Sequence, residues 1–185
     1  RSLLAMVDPY SYRADLDRPK LILLGTNDRY WPLDALRVYW DELPEPKRVL
    51  YVPNQGHGVR DLGRLIGGLS ALHRYSVHGE QLPALTWSYA AQADRLGVDV
   101  QSNRVPRRVL AWTARSATRD FREARWTSHS CKRRDGKFAC SVARPSEGFV
   151  AMYAELWFKD PGYPKFPLAT VVCIAGEPGG DPPGC

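Results

Sequence analysis

The 185-residue sequence predicts an α/β fold followed by an all-β, antiparallel one. Apolar runs at 21–24 and 49–52, each followed by apolar residues at helical spacing, are typical of a strand–helix unit with a parallel sheet. Beyond residue 82, short alternating runs separated by turn residues are typical of an antiparallel sandwich. We therefore expect a parallel-sheet part, a β-sandwich-like domain and a flexible tail, at 1–80, 82–175 and 176–185.

The first part alternates strands and helices. After the first strand, Pro32 suits the first position of a helix, and apolar residues at helical spacing extend that helix over 32–43. Pro44 ends it. The second strand at 49–52 is followed by a longer helix, whose apolar stripe runs from Val59 to His73.

The second part contains aromatic-rich runs with the alternation expected of half-buried strands. Turn residues separate them, and together they predict roughly seven antiparallel strands. The runs lie at 84–91, 96–101, 105–114, 126–131, 137–143, 148–158 and 168–175.

A tight hairpin in this part predicts a disulfide. Asp135-Gly136 is a strong two-residue turn signal. A hairpin centred there places Cys131 directly opposite Cys140, within disulfide range. A disulfide would indicate an oxidising compartment. The alternative is two reduced thiols on a hairpin, and the other two cysteines have no local geometry that predicts a bridge.

Charge is unevenly distributed along the chain. The net charge is +6, and residues 81–185 supply most of it, with 15 Lys and Arg against 10 Asp and Glu. The excess between Arg104 and Arg134 fits either an anionic partner, such as a polymer or lipid head group, or a solvated strand face. No apolar run is long enough to predict a transmembrane segment. No nucleic-acid motif accompanies the basic residues, so no specific nucleic-acid partner is predicted.

Two candidate catalytic residues follow the two predicted parallel strands. Asp28 and His57 each lie just beyond a strand, where function gathers in open α/β sheets. An acid and a histidine in this order are two thirds of a Ser-His-Asp triad. Asp34 is the alternative acid, but it falls in the first turn of the predicted helix. Glycines on both sides of His57 indicate a tight backbone there.

The nucleophile of such a triad is missing from the sequence. In α/β-hydrolases the serine sits in a G-x-S-x-G turn before the acid, and none of the 27 residues before Asp28 forms one. The first residue is not Met and no apolar leader follows it, which favours a mature form or a fragment. The remaining histidines lack metal-ligand spacing with Cys or carboxylates, so no metal or other cofactor is predicted.

Several segments resemble a known family. The chain is similar to the C-terminal part of the PhoPQ-activated pathogenicity-related proteins, which belong to the α/β-hydrolase superfamily. A weaker similarity, at ATRDFR (117–122) and Trp126, is to the β-rich extension after the hydrolase core. The segments that carry the main resemblance are MVDPYSYR (6–13), PKLILLGTNDRYW (19–31), LDAL (33–36), YW (39–40) and YVPNQGHG (51–58).

The resemblance implies an extracytoplasmic, serine-hydrolase-like protein, periplasmic or secreted. It places the triad acid at Asp28 and the base at His57, and the fold at the C-terminal part of an α/β-hydrolase sheet. We therefore expect a piece of an esterase- or peptidase-type enzyme, inactive alone and acting on a small-molecule or peptide substrate. The alternative is a non-catalytic binding or envelope-stress protein whose basic β-domain captures an anionic partner.

Overall fold

A computed structural model describes residues 3–177 and 185. In these residues the helices are α1 (Leu3–Val7), a 3-10 helix (Pro9–Asp15), α2 (Arg37–Trp40) and α3 (Leu62–Val77). The strands are β1 (Lys20–Gly25), β2 (Lys47–Val52), β3 (Leu85–Ala91), β4 (Arg95–Ser102), β5 (Arg108–Ser116), β6 (Thr127–Ser130), β7 (Lys132–Arg134), β8 (Lys137–Ala143), β9 (Phe149–Phe158), β10 (Phe166–Ala169) and β11 (Cys173–Gly176).

The larger sheet is mixed. Its seven strands follow the order β1-β2-β10-β9-β5-β6, and β11 also pairs with β9. Strands β1 and β2 are parallel, whereas β10 pairs antiparallel with β2 through Ala169 and Val49. The later strands thus extend the sheet that β1 and β2 begin.

The smaller sheet is antiparallel, with the order β3-β4-β8-β7. Its β7–β8 hairpin has the predicted register, because Arg133 lies opposite Phe138 around the turn at Asp135-Gly136. Both turn residues have a positive φ, as this two-residue turn requires. The predicted disulfide between Cys131 and Cys140 is confirmed.

The expected fold class is wrong. The sequence predicted a parallel α/β-hydrolase sheet with a separate sandwich, but the described residues form an all-β-like fold of one mixed and one antiparallel sheet. Local patterning could not reveal that β10 joins β2, so that strands from both predicted parts share one sheet. Among the described residues α3 is the one long helix, too little to cover a parallel sheet on both faces. The expected boundary near residue 80 stays a prediction.

Strand β9 lies at the centre of the hydrophobic core, buried on both faces. One face packs with α3 and the inner face of the smaller sheet, through Val150, Met152, Ala154, Leu156 and Phe158. The other face belongs to a second cluster, which includes Tyr51, Phe121, Trp126, Ala151 and Tyr153. Most of the hydrophobic stabilisation therefore involves strands beyond residue 82.

Of the two helices predicted within residues 1–80, the first is largely absent and the second is present. The segment predicted as a helix over 32–43 forms turns and only one α-helical turn, Arg37–Trp40, because several of its amides bond to the carbonyl three residues back. The longer helix is present as α3, and Arg64 ties it to β9 through an ion pair with buried Glu155 (3.0 Å). Among residues 3–177 and 185, no helix combines the length and apolar character that crossing a membrane requires.

The last predicted strand and the predicted tail differ from the expectation. The run at 168–175 is divided between β10 and β11. Cys173, at the start of β11, forms a second disulfide with Cys185. Most of the predicted tail, residues 178–184, lies outside the described residues.

Candidate active site

The loops after β1 and β2 meet in close contact. The N–H of Asn27 donates to the carbonyl of Gln55 (2.9 Å), and the N–H of Thr26 donates to the carbonyl of Val52 (3.1 Å). Gly25 permits this approach, since a Cβ at that position would clash with the carbonyl oxygens of Gln55 and Gly56. The end of β1 therefore needs glycine for the two loops to touch.

This contact brings Asp28 and His57 together. His57 Nδ1 lies 2.8 Å from Asp28 Oδ2. The other carboxylate oxygen, Oδ1, accepts hydrogen bonds from the N–H groups of Tyr30 (2.8 Å) and Trp31 (3.2 Å). Both carboxylate oxygens are therefore held, and the imidazole faces one of them.

Asp28 is held in its ionised form. Burial raises the pKa of its carboxyl, but the hydrogen bonds from Tyr30, His57 and Trp31 outweigh burial, so the pKa lies below its ordinary value. Because an ionised carboxylate only accepts, the shared proton belongs to His57 Nδ1. In the neutral imidazole, Nε2 is then the unprotonated nitrogen.

His57 is more exposed than Asp28. The side chain of His57 is 58% exposed, whereas that of Asp28 is 4% exposed. Tyr30 packs edge-on against the imidazole, with ring centroids 5.1 Å apart, and Trp31 beside it is exposed. Within residues 3–177 and 185, no serine hydroxyl forms a hydrogen bond with His57. The described residues thus present a buried carboxylate in contact with a largely exposed imidazole.

Two asparagines that the sequence analysis missed anchor the loops. Asn27 Nδ2 donates to the carbonyls of Arg122 (3.0 Å) and Ala124 (2.7 Å). Asn54 exchanges two hydrogen bonds with the main chain of Trp126. Both asparagines adjoin the predicted strand ends, but their partners lie about seventy to a hundred residues further along, so no local signal reveals the pairing.

The alternative acid lies elsewhere. Asp34 Oδ2 is 3.6 Å from a guanidinium nitrogen of Arg119, and its main-chain carbonyl accepts from the N–H of Arg37. Asp28, not Asp34, is the carboxylate next to the imidazole of His57. Among the described residues, no group of three or more His, Cys, Asp or Glu side chains could hold a metal ion.

The chain belongs to the PhoPQ-activated pathogenicity-related protein family, whose model matches residues 1–122. The match includes both Asp28 and His57. The chain is also 28% identical, over 134 residues, to autocrine proliferation repressor protein A of Dictyostelium discoideum. That similarity covers 65% of this chain and 26% of the relative, so the chain spans about a quarter of the length of the relative.

One solved structure is also similar. It is the crystal structure of the Br derivative of BhCBM56, with a TM-score of 0.37 and 12% identity, covering 53% of this chain and 97% of that one. At this TM-score the likeness carries no argument about the function of the chain. Family membership and the disulfide bonds together suggest an extracytoplasmic protein.

Proposed function

We propose that this chain supplies the acid and the base of a Ser-His-Asp hydrolase site, with the nucleophilic serine lying outside these 185 residues. The observation that carries the proposal is the 2.8 Å approach of His57 Nδ1 to the carboxylate of Asp28. A triad acid has this position, because it fixes the tautomer of the histidine and stabilises the imidazolium that forms during the reaction.

Each residue then has a defined role. Asp28 stays ionised and orients the ring, while Nε2 of His57 takes the proton of the serine hydroxyl as that oxygen attacks an ester or amide carbonyl. The protonated His57 then gives this proton to the leaving group. In the second half of the reaction, His57 activates water in the same way, and the acyl group leaves the serine as a carboxylic acid.

The arrangement of burial supports these roles. Asp28 is buried and held by main-chain N–H groups, so its orientation is fixed before any substrate arrives. The side chain of His57 is largely exposed, so a nucleophile from another segment can reach it. The family match, which spans both residues, supports placing them in one functional unit.

The proposal also covers the cellular location in which the protein acts. We infer that the protein acts in the periplasm or outside the cell, where the Cys131–Cys140 and Cys173–Cys185 bridges persist. The substrate class is a small-molecule or peptide acyl compound, because the chemistry requires an electrophilic carbonyl.

The first test uses the chain alone, assayed with short acyl esters. We expect no turnover above buffer, because the nucleophile and the oxyanion donors are missing. Ester hydrolysis by this chain that is abolished by Asp28→Ala or His57→Ala would show that the nucleophile lies within the 185 residues.

The second test uses the full-length gene product that contains this chain, treated with a fluorophosphonate probe. We expect one serine to be labelled, and His57→Ala to slow its labelling by a factor on the order of a hundred or more. Asp34→Ala is the matched control and should react at the wild-type rate. A full-length protein with no labelled serine would refute the proposal and favour the non-catalytic binding function.

A further inference from the structure

The outer face of the smaller sheet has a groove of about 520 Å³. Its floor consists of small side chains on neighbouring strands, because Ala90 lies opposite Gly97, which in turn lies opposite Ser141. In the next row, Asp99 lies between Ser88 and Ala139. The alternate residues of these strands point inward to the core, so the small residues leave a concave outer surface.

The rim of this groove is basic. Arg95 lies on one side, and Lys132 and Arg134 lie on β7, with His129 from the preceding strand beside them. Asp99 is the one carboxylate among the described lining residues. Of these groups, Arg95 donates a hydrogen bond to Ser141 Oγ (2.9 Å). Within the described residues, Lys132 and Arg134 form no ion pair, so their charges are free to meet a ligand.

Three other basic residues of this region lie near carboxylates outside the groove. Arg104 pairs with Asp160, Arg122 pairs with Asp120, and Arg119 approaches Asp34. The charges of these three side chains are therefore partly neutralised away from the groove, whereas those of Lys132 and Arg134 line a concave surface.

We propose that this groove binds a segment of an acidic polysaccharide. Lys132, Arg134 and Arg95 would pair with its carboxylate or sulfate groups. The hydroxyls of Ser88 and Ser130 would exchange hydrogen bonds with sugar hydroxyls. The concave floor admits an extended chain along the sheet. This binding is independent of the proposed hydrolase chemistry.

The lining disfavours two other polyanions. Among the described residues that line the groove, His129 is the one aromatic ring, so they provide no stacking platform of the kind on which single-stranded nucleic acids depend. The same residues include no large exposed apolar side chain that could insert into a bilayer. A charged, flexible and hydroxyl-rich polymer fits these surroundings better than either.

The test is calorimetric titration of the intact chain with a size-defined heparin oligosaccharide and with polygalacturonate. Neutral dextran is the control polymer. We expect the charged polymers to bind and dextran not to bind, with an affinity that falls as salt increases from low to moderate concentration. Lys132→Glu and Arg134→Glu, made one at a time, should each weaken binding about tenfold or more.

Two further variants test whether binding depends on the groove itself or only on the overall charge of the protein. Arg133→Glu is the matched control, because Arg133 lies on the same strand but opposite the partly buried Phe138, on the other face. It should change affinity by less than about threefold. Ala139→Leu fills the floor without changing charge and should weaken binding about tenfold.

Several outcomes would overturn the proposal. An equal loss of affinity in Arg133→Glu and in the two single variants Lys132→Glu and Arg134→Glu, which change the charge by the same amount, would show that binding follows net charge alone. Stronger binding to single-stranded DNA or to anionic vesicles than to either polysaccharide would assign the groove to another ligand. Absence of binding at low salt, or an Ala139→Leu variant that binds like the wild type, would also refute it.

Discussion

Asn54 and Trp126 exchange a reciprocal pair of hydrogen bonds. Asn54 Nδ2 donates to the carbonyl of Trp126 (3.0 Å), and the N–H of Trp126 donates to Asn54 Oδ1 (2.8 Å). Asn54 lies three residues before His57 and has a φ of 58°, in the left-handed region. The loop that carries the candidate base is therefore fastened to the segment leading into β6.

We predict that Asn54→Gly lowers the free energy of unfolding by about 1–3 kcal/mol, because buried Trp126 loses a partner for its N–H and for its carbonyl. Asn54→Ala should lose about 1 kcal/mol more, since alanine tolerates the left-handed backbone poorly. Urea unfolding measures both variants. A glycine variant as stable as the wild type would show that this exchange contributes nothing to stability.

A second prediction concerns the contact between the two loops. Gly25→Ala should separate them and cost about 1–3 kcal/mol, because its Cβ would clash with the carbonyls of Gln55 and Gly56. Gly58→Ala is the matched control, since a Cβ there meets nothing within 4 Å. Thermal unfolding and the NMR signal of the His57 Nδ1 proton are the measurements. Equal behaviour of the two variants would contradict the proposed role of Gly25.

A third prediction concerns stability at acid pH. The pKa of Asp28 is lowered in the folded protein, so its ionisation contributes stability above its unfolded pKa. This contribution is lost as pH falls through the folded pKa, in the range below about pH 4. Asp28→Asn should lack this component of the pH dependence, and Asp34→Asn should retain it. Parallel stability curves for Asp28→Asn and the wild type below pH 4 would contradict the prediction.

A fourth prediction concerns the hairpin disulfide. Cys131 and Cys140 are nine residues apart, and by the loop-entropy relation their bridge contributes about 2–3 kcal/mol. The Cys131→Ser/Cys140→Ser double variant should lose that amount in chemical unfolding. Peptide mapping without reduction tests the pairing itself. Recovery of both residues as free thiols from oxidatively expressed protein would refute it.

Local sequence signals predicted much of the smaller sheet. Alternation placed strands at 84–91 and 137–143, and the structure has them at Leu85–Ala91 and Lys137–Ala143. The two-residue turn at Asp135-Gly136 gave the register of the hairpin. These features depend on residues that are close together in the chain, so local sequence patterns are enough to predict them.

The pairing of strands that are distant in sequence could not be predicted from local patterns. The pairing of Ala169 with Val49 joins strands 120 positions apart, and this pairing places strands from both predicted parts in one sheet. The expected helix over 32–43 also failed, because an apolar repeat is equally compatible with a series of packed turns. Both the strand pairing and the conformation of residues 32–43 depend on tertiary packing, which local patterns do not show.

The candidate site was predictable in part. The sequence analysis placed Asp28 and His57 just after two successive strands, and in the structure the two side chains are in contact. Their catalytic role stays a prediction. The roles of Gly25, Asn27 and Asn54 were missed, because each depends on main-chain atoms distant in sequence.

The tautomer of His57 tests the central claim most directly, and ¹⁵N NMR of the chain across its titration measures it. We predict that neutral His57 carries its proton on Nδ1 in the wild type, and that Asp28→Asn shifts it toward Nε2. His73, His78 and His129 serve as references in the same spectra. A neutral His57 protonated on Nε2 in the wild type, unchanged by Asp28→Asn, would contradict the assignment of these residues as an acid–base pair.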